Sequence, residues 1–170
     1  QTCALPISCV KRCWASLWTA RAIAYRNRLG LQAEDVSLAV VIQRMVPATA
    51  AGVLFTANPV NGRRDQLIIN AAWGLGEAVV GGQVNPDQWV VDGATDAVLE
   101  ERLVSKEVMT VRAAGGTTVA PVPGELRDKP VLNERGLKAL AELGRRAATH
   151  FGTPQDIEWA SDGDQFHLVQ

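Results

Sequence analysis

The stretch Gln155-Asp-Ile-Glu-Trp-Ala160, followed after Asp162-Gly163 by Gln165-Phe-His-Leu-Val-Gln170, decides the fold at the end of the chain. Both runs have the length and the branched and aromatic content of strands, and an Asp-Gly pair is typical of a hairpin turn. Because strand side chains alternate, we expect Asp156 and Glu158 on one face and the apolar side chains between them on the other.

The length of the turn decides which residue of the second strand faces these carboxylates. A two-residue turn at 162–163 pairs Glu158 with His167 and leaves Gln170 on the opposite face. A three-residue loop with glycine in the left-handed conformation pairs Asp156 with Gln170 instead. If Gln170 shares a site with Glu158, we therefore predict the three-residue loop or an equivalent bulge.

Helices are predicted on both sides of the strand-rich middle of the chain. Asn133 caps a helix from Glu134 to about His150, which Gly152 ends. Apolar residues recur at helical spacing from Val10 to Leu29, which predicts one helix of about five turns that stops at Gly30.

Six further segments are expected to be strands or a loop. The nearly continuous apolar run 36–46 predicts a buried strand, with 50–56 as its antiparallel partner. Residues 66–72 predict the next strand, and 88–91 with 97–103 predict a hairpin. Residues 113–130, which are rich in Gly, Thr and Pro, are expected to form a flexible loop. Without regular βαβ alternation, the fold class is α+β, with a mixed or antiparallel sheet and flanking helices.

Composition is that of one globular domain. The chain has 170 residues, 47% of them hydrophobic and 21% charged, with a net charge of −1. No basic stripe predicts nucleic-acid binding, and no apolar run reaches the roughly 18–20 residues that cross a bilayer, so we expect no nucleic-acid or membrane partner and a cytoplasmic protein. Residues 1–7 match one reading frame of a sequencing adapter, so we expect a non-native leader and a native domain over 8–170.

Two carboxylates at i, i+2 on an apolar strand, Asp156 and Glu158, repel each other and favour a bound cation. Oxygen ligands of this kind suit Mg²⁺, which bridges nucleotide phosphates in phosphoryl transfer. The pattern alone leaves open a sheet with one solvated face.

Two other segments could contact a nucleotide. At Gln43-Arg-Met-Val46 a strand end could present its backbone to an adenine edge, with Met45 or Val46 against the ring, although an ordinary core strand end fits the spacing equally well. Gly74-Leu-Gly-Glu77 lacks the third glycine of a dinucleotide fingerprint, and no Walker A lysine occurs in the chain. Glu77 could still reach a ribose hydroxyl from a short helical segment.

Several ordered motifs together resemble the ATP-binding domain of phosphoenolpyruvate synthases and pyruvate phosphate dikinases, most closely its rifampicin phosphotransferase branch. The resemblance covers residues 8–170. Its motifs are Trp18-Thr-Ala-Arg-Ala-Ile-Ala-Tyr-Arg26, Ala39-Val-Val-Ile-Gln-Arg-Met-Val46, Gly52-Val-Leu-Phe-Thr56, Asn58-Pro59, Ala72-Trp-Gly-Leu-Gly-Glu-Ala-Val-Val80, Val84-Asn-Pro-Asp87, Asp156-Ile-Glu-Trp159 and Val169-Gln170.

The resemblance implies an ATP-grasp-type fold in which two subdomains hold ATP and Mg²⁺. It implies that Glu158 and Gln170 bind Mg²⁺ and phosphate with Asp156 nearby, that Gln43 contacts the base, and that Gly52 and Glu77 line the pocket. ATP would be cleaved to AMP, the β-phosphate passing to a histidine on a separate swivelling domain.

Parts of such an enzyme would lie outside this sequence. The family's phosphate-binding lysine and arginine belong to the upstream ATP-grasp subdomain, and a further arginine is expected just after Gln170. The phosphohistidine domain and the acceptor-binding domain, which chooses pyruvate or rifamycin, are also expected elsewhere. We therefore expect no turnover from residues 8–170 alone. The alternatives are a non-catalytic nucleotide-binding module and a purely structural domain.

Overall fold

Two short helices dominate the first part of the chain in the computed structural model, which describes residues 4–32, 36–82 and 84–170. The chain divides into a unit of residues 1–45 and a unit of residues 46–170. In the first unit, α1 spans Ala4–Ala15, a 3₁₀ turn spans Ser16–Trp18, and α2 spans Ala20–Leu29. Of the predicted leader 1–7, residues 1–3 lie outside the described part, and its non-native origin stays a prediction.

The single helix predicted over 10–29 is wrong, because the chain breaks at Thr19. Thr19 is extended, with ψ 149°, and its hydroxyl oxygen accepts a hydrogen bond from the Ala22 N–H at 3.4 Å. Threonine is a favoured N-cap, so it starts a second helix here instead of continuing the first. Gly30 ends α2 in the left-handed conformation, with φ 70°, as predicted.

The predicted buried strand at 36–46 is also wrong. The described residues 36–48 contain no strand, and Val41 and Ile42 are 81% and 77% exposed. The segment 50–56 is a strand, but both of its edges pair with other segments, at Gln66–Trp73 and at Asp156–Ser161. A run of apolar, β-branched residues forms a strand only where the edge of another strand is free to pair with it. Both edges of Ala50–Phe55, the expected partner, are already paired.

The second unit is built on a six-stranded sheet in which every neighbouring pair is antiparallel, with strand order β4-β3-β2-β1-β7-β8. Its members are β1 Ala50–Phe55, β2 Gln66–Trp73, β3 Asp87–Asp92, β4 Val98–Arg102, β7 Asp156–Ser161 and β8 Phe166–Leu168. The predicted α+β class with an antiparallel sheet is confirmed.

A separate hairpin corrects the loop predicted at 113–130. Strands β5 Val108–Ala113 and β6 Gly116–Pro121 pair with each other around a tight turn at Gly115, which has φ 88°. The β-branched residues of Val108–Val111 and of Thr117–Val119 were the signals for these strands, and Ala114 and Gly115 form the turn between them. The rest of the segment includes a 3₁₀ turn at Gly124–Leu126.

Two helices accompany the sheet. The short α3 spans Glu77–Val80, and α4 spans Glu134–Phe151. The α4 boundaries follow the predicted signals: the Asn133 side chain accepts from the Gly136 N–H at 2.9 Å, and Gly152 is left-handed with φ 70°. Leu140 of α4 packs on Leu54, Ile69, Trp89 and Trp159 of the sheet in one buried cluster.

An ion pair is buried beside this core. The Lys106 ammonium lies 2.8 Å and 2.9 Å from the two carboxylate oxygens of Asp87, and the two side chains are 2% and 0% exposed. The carboxylate also accepts from the backbone N–H groups of Val104 and Val131, and the ammonium donates to the Val104 carbonyl. Among the described residues, no helix has the length and apolar character needed to span a membrane.

Candidate functional site

The two faces of the sheet have different chemistry. Ile157 and Trp159 are 4% and 1% exposed and belong to the core beneath α4, so Asp156 and Glu158, which alternate with them, lie on the opposite face, as predicted. We call this opposite side the Glu158 face; across the sheet it also carries Val53, which pairs with Glu158.

The terminal hairpin has neither of the turns considered from the sequence. Ser161 pairs with Phe166, so the loop has four residues, 162–165, and the predicted three-residue loop is wrong. The Asp162 side chain explains the longer loop, because one carboxylate oxygen accepts from the Asp164 and Gln165 N–H groups at 3.1 Å and 3.0 Å. Its other oxygen lies 2.9 Å from Nε2 of His167.

A bulge at the end of the chain then changes the pairing of Gln170. The carbonyl of Glu158 accepts from the N–H of Val169 at 2.9 Å and from that of Gln170 at 3.4 Å, and the Glu158 N–H donates to the Gln170 carbonyl at 2.9 Å. Two residues therefore oppose one, which defines a β-bulge. The bulge anticipated as an alternative to the three-residue loop is present, and Gln170 is bonded directly opposite Glu158.

Asp156 and Glu158, unlike Asp162 of the same hairpin, have no partner of opposite charge among the described residues. Within the described part of the chain, neither Asp156 nor Glu158 forms an ion pair or a side-chain hydrogen bond, and their partners across β1 are Phe55 and Val53. Asp156 is exposed and Glu158 is half-buried. Two unpaired carboxylates on one strand face favour a cation.

The donor set fits magnesium better than a metal held wholly by protein. Among the described residues, no group of three His, Cys, Asp or Glu side chains could hold a metal ion. Mg²⁺ usually takes only one or two carboxylates and completes its octahedron with water and substrate phosphates. Glu158 with Asp156, and the amide oxygen of Gln170 opposite, match that smaller requirement.

The helix that carries Glu77 lies on this same face. A Cβ at Gly76 would contact Cβ of Ala51, whose side chain is on the Glu158 face, and Ala78 of α3 is 3% exposed. The Glu77 carboxylate itself is exposed and accepts from the hydroxyl of Thr117 at 2.9 Å, a contact that ties α3 to the β5–β6 hairpin.

Gly52, which was predicted to line the pocket, lies on the α4 side of the sheet and not on the Glu158 face. A Cβ at Gly52 would fall 1.8 Å from the carbonyl oxygen of Asn70 and 2.9 Å from the Trp159 ring, so Gly52 serves the close packing of the α4 side. Gln43 and Met45 belong to the unit 1–45, whereas Val46 begins the second unit. The strand end expected at Gln43–Val46 does not form, and Met45 is 57% exposed.

Sequence reasoning missed a polar pair on the Glu158 face. Register places Val53 between Glu158 and Asn70, and Asn70 in turn pairs with Gln88. Nε2 of Gln88 donates to Oδ1 of Asn70 at 3.0 Å. The signal was available, because Asn70 is the one polar residue inside the apolar run 67–73.

One cleft of the second unit lies away from the Glu158 face. A cleft of about 630 Å³ lies on the α4 side of the sheet, lined by Asn133 and Gly136 at the start of α4 and by Ser161 and Phe166 of the hairpin, among others. It contains none of the predicted site residues. The chemistry of the Glu158 face, rather than cleft volume, therefore identifies the candidate site.

Comparison with known proteins accounts for nearly the whole chain. Residues 5–170 match the family described as "Pyruvate phosphate dikinase, AMP/ATP-binding domain". Over 94% of its length the chain is 49% identical to a "probable phosphoenolpyruvate synthase" of Methanothermobacter thermautotrophicus. Over 95% it is 45% identical both to the phosphoenolpyruvate synthase of Pyrococcus furiosus and to a rifampicin phosphotransferase of Streptomyces sviceus.

The chain spans 23%, 21% and 18% of the lengths of these three relatives. Full-length proteins of this kind therefore contain other domains. The match over 5–170, together with the identities, shows that the chain belongs to the pyruvate phosphate dikinase AMP/ATP-binding domain family.

Proposed function

We propose that this chain is the ATP-binding and phosphotransfer part, of ATP-grasp type, of a dikinase-type enzyme, with its Mg²⁺–ATP site on the Glu158 face. The observation that carries the proposal is the bulge that pairs Val169 and Gln170 with Glu158. It sets the backbone of Gln170 opposite Glu158, which with Asp156 has no counter-charge in the described part of the chain. Membership of an AMP/ATP-binding family supports a nucleotide as the ligand.

Each side chain at the hairpin has a distinct task. Glu158 and Gln170 would hold the metal through a carboxylate and an amide oxygen, and Asp156 would add negative charge that favours a cation over an anion. A Mg²⁺ ion held by these side chains would supply positive charge that offsets the negative charge developing in phosphoryl transfer.

The rest of the nucleotide would be held by other segments. Glu77, presented by α3 on the same face, would accept from a ribose hydroxyl. Gln43 would contact the base, with Met45 or Val46 against the ring. The upstream subdomain would supply cationic side chains for the phosphates, which is why residues 8–170 alone are not expected to turn over.

The reaction proposed is the cleavage of ATP to AMP. The β-phosphate would pass to a histidine on a separate swivelling domain, with release of the γ-phosphate. The phosphohistidine would then phosphorylate pyruvate or rifamycin on an acceptor-binding domain. One phosphoenolpyruvate synthase and one rifampicin phosphotransferase are each 45% identical to this chain, so both acceptors stay open.

The test is Glu158→Gln in the full-length enzyme that carries this domain. Removing the charge while keeping the shape should lower AMP formation from ATP by about 100-fold or more, because a charge that acts in the transition state is lost. Glu100→Gln is the matched control, since Glu100 is an exposed carboxylate at the β4 edge of the same face. Wild-type AMP formation by Glu158→Gln would remove Glu158 from the mechanism.

A further inference from the structure

Asn70 occupies a position on the Glu158 face that packing alone does not explain. Its neighbours on the same face of β2, Ile68 and Ala72, are apolar and 5% and 4% exposed, whereas Asn70 is half-buried. Between Asn70 and Glu158 stands only Val53, whose side chain has no polar atom. Because neighbouring strands lie about 4.8 Å apart, the backbone of Asn70 lies about 10 Å from the backbone of Glu158, two strands away in the same row across the sheet.

The Asn70 amide is held in one orientation. Gln88, its partner on β3, donates from Nε2 to Oδ1 of Asn70 at 3.0 Å. The oxygen of Asn70 is therefore engaged, and its NH₂ group is the part left to interact. Nδ2 of Asn70 forms no hydrogen bond with the described residues, and it is not closed off from the surface of the Glu158 face. A ligand that brings an acceptor to this face can therefore pair with this donor.

The chemistry of this group selects its ligand. An amide nitrogen has donors and no free lone pair, so it suits a negatively charged oxygen and not a metal ion. If the metal of a Mg²⁺–nucleotide is bound at Glu158, the phosphate groups that coordinate this metal are the anions nearest to the row Glu158, Val53 and Asn70.

We propose that Asn70 binds a phosphate oxygen of ATP through Nδ2, with Gln88 as the positioning residue that orients its amide. This inference rests on the proposed function, since it takes the metal end of the nucleotide to lie at Glu158. It adds a phosphate contact within residues 46–170.

The test compares Asn70→Asp with Asn70→Gln in the full-length enzyme. Asn70→Asp keeps the shape but replaces the donor with a carboxylate that repels phosphate, and Asn70→Gln keeps an amide. We expect Asn70→Asp to raise the Kd for Mg²⁺–ATP at least about tenfold and to leave the Kd for adenosine, which has no phosphate, unchanged. Asn70→Gln should bind Mg²⁺–ATP more tightly than Asn70→Asp, and Gln88→Leu should weaken ATP binding without changing adenosine binding.

Two results would overturn the inference while leaving the proposed function intact. One is an unchanged Kd for Mg²⁺–ATP in Asn70→Asp when Glu158→Gln has lost AMP formation. The other is an equal loss of ATP and adenosine binding, which would mark Asn70 as a purely structural residue. Full AMP formation by Glu158→Gln would instead contradict the proposed function itself, so the two failures are separable.

Discussion

Replacing Asp87 with alanine removes one half of the buried ion pair and should destabilise residues 46–170 by about 3–5 kcal/mol. The Lys106 ammonium, 2% exposed, would keep only the Val104 carbonyl as an acceptor. The N–H groups of Val104 and Val131 would lose the carboxylate that accepts from both at 3.0 Å. The uncompensated buried charge and the two unpaired N–H donors each lower stability, so we expect a loss in the upper half of the range of about 3–5 kcal/mol.

Urea denaturation followed by tryptophan fluorescence measures the effect, since Trp89 and Trp159 are both buried in the core of this unit. With a slope of about 2 kcal/mol per molar urea, the midpoint should fall by about 2 M. The exposed ion pair of Arg63 and Asp65 provides the control, and Asp65→Ala should leave the midpoint unchanged.

A double variant separates lost charge pairing from lost packing. Replacing both Asp87 and Lys106 with methionine removes both charges together and fills the space, so it should be more stable than Asp87→Ala alone. If Asp87→Ala lies within 1 kcal/mol of the wild type, or if the double variant is the less stable of the two, the reasoning about an uncompensated buried charge is refuted.

Two further predictions concern backbone packing and acid stability. Gly52→Ala should destabilise the second unit by about 3 kcal/mol, because the new Cβ would fall 1.8 Å from a backbone carbonyl oxygen. Gly116→Ala is the control, since a Cβ at Gly116 meets nothing within 4 Å. Equal melting temperatures for the two variants would contradict this prediction. Hydrogen bonds, first from the Gln165 backbone N–H and then from a histidine side chain, lower the Asp162 pKa from 3.8 to about 2. Because the pKa of Asp162 is lower in the folded state, the stabilisation is complete above about pH 4 and is lost as the pH falls towards 2. Amide exchange of the hairpin should therefore become faster between about pH 4 and pH 2, and Asp162→Asn should abolish this acid-dependent increase.

Local signals made the second unit largely predictable. Asn133 and Gly152 set the ends of α4 because a side-chain cap and a left-handed glycine are decided by neighbouring residues alone. The alternation of Asp156 and Glu158 against Ile157 and Trp159 likewise follows from strand geometry, and the structure confirms it. The chemistry of the hairpin could therefore be proposed before the sheet was known.

The sequence alone did not show which strands pair with each other in the sheet. The run 36–46 has the composition of a strand, yet its expected partner β1 pairs with β2 and β7, and no local property of the run reveals this. Asn70 stands out in the sequence as a polar residue within an apolar run, but its alignment with Glu158 does not. Its significance depends on lying in line with Glu158 through Val53, a relation that only the register of three strands creates.

The placement of Gln170 depends on two pairing irregularities that act together. The loop held by Asp162 has four residues, so regular pairing would set Val169 opposite Glu158 and turn Gln170 to the α4 side. The bulge adds one residue to the second strand and brings Gln170 back opposite Glu158. A bulge disrupts the ladder locally. Here it sets Gln170 opposite Glu158, which like Asp156 has no ion pair in the described part of the chain. That coincidence of register and chemistry, more than the presence of acidic residues on a strand, favours a metal-and-phosphate site at this hairpin.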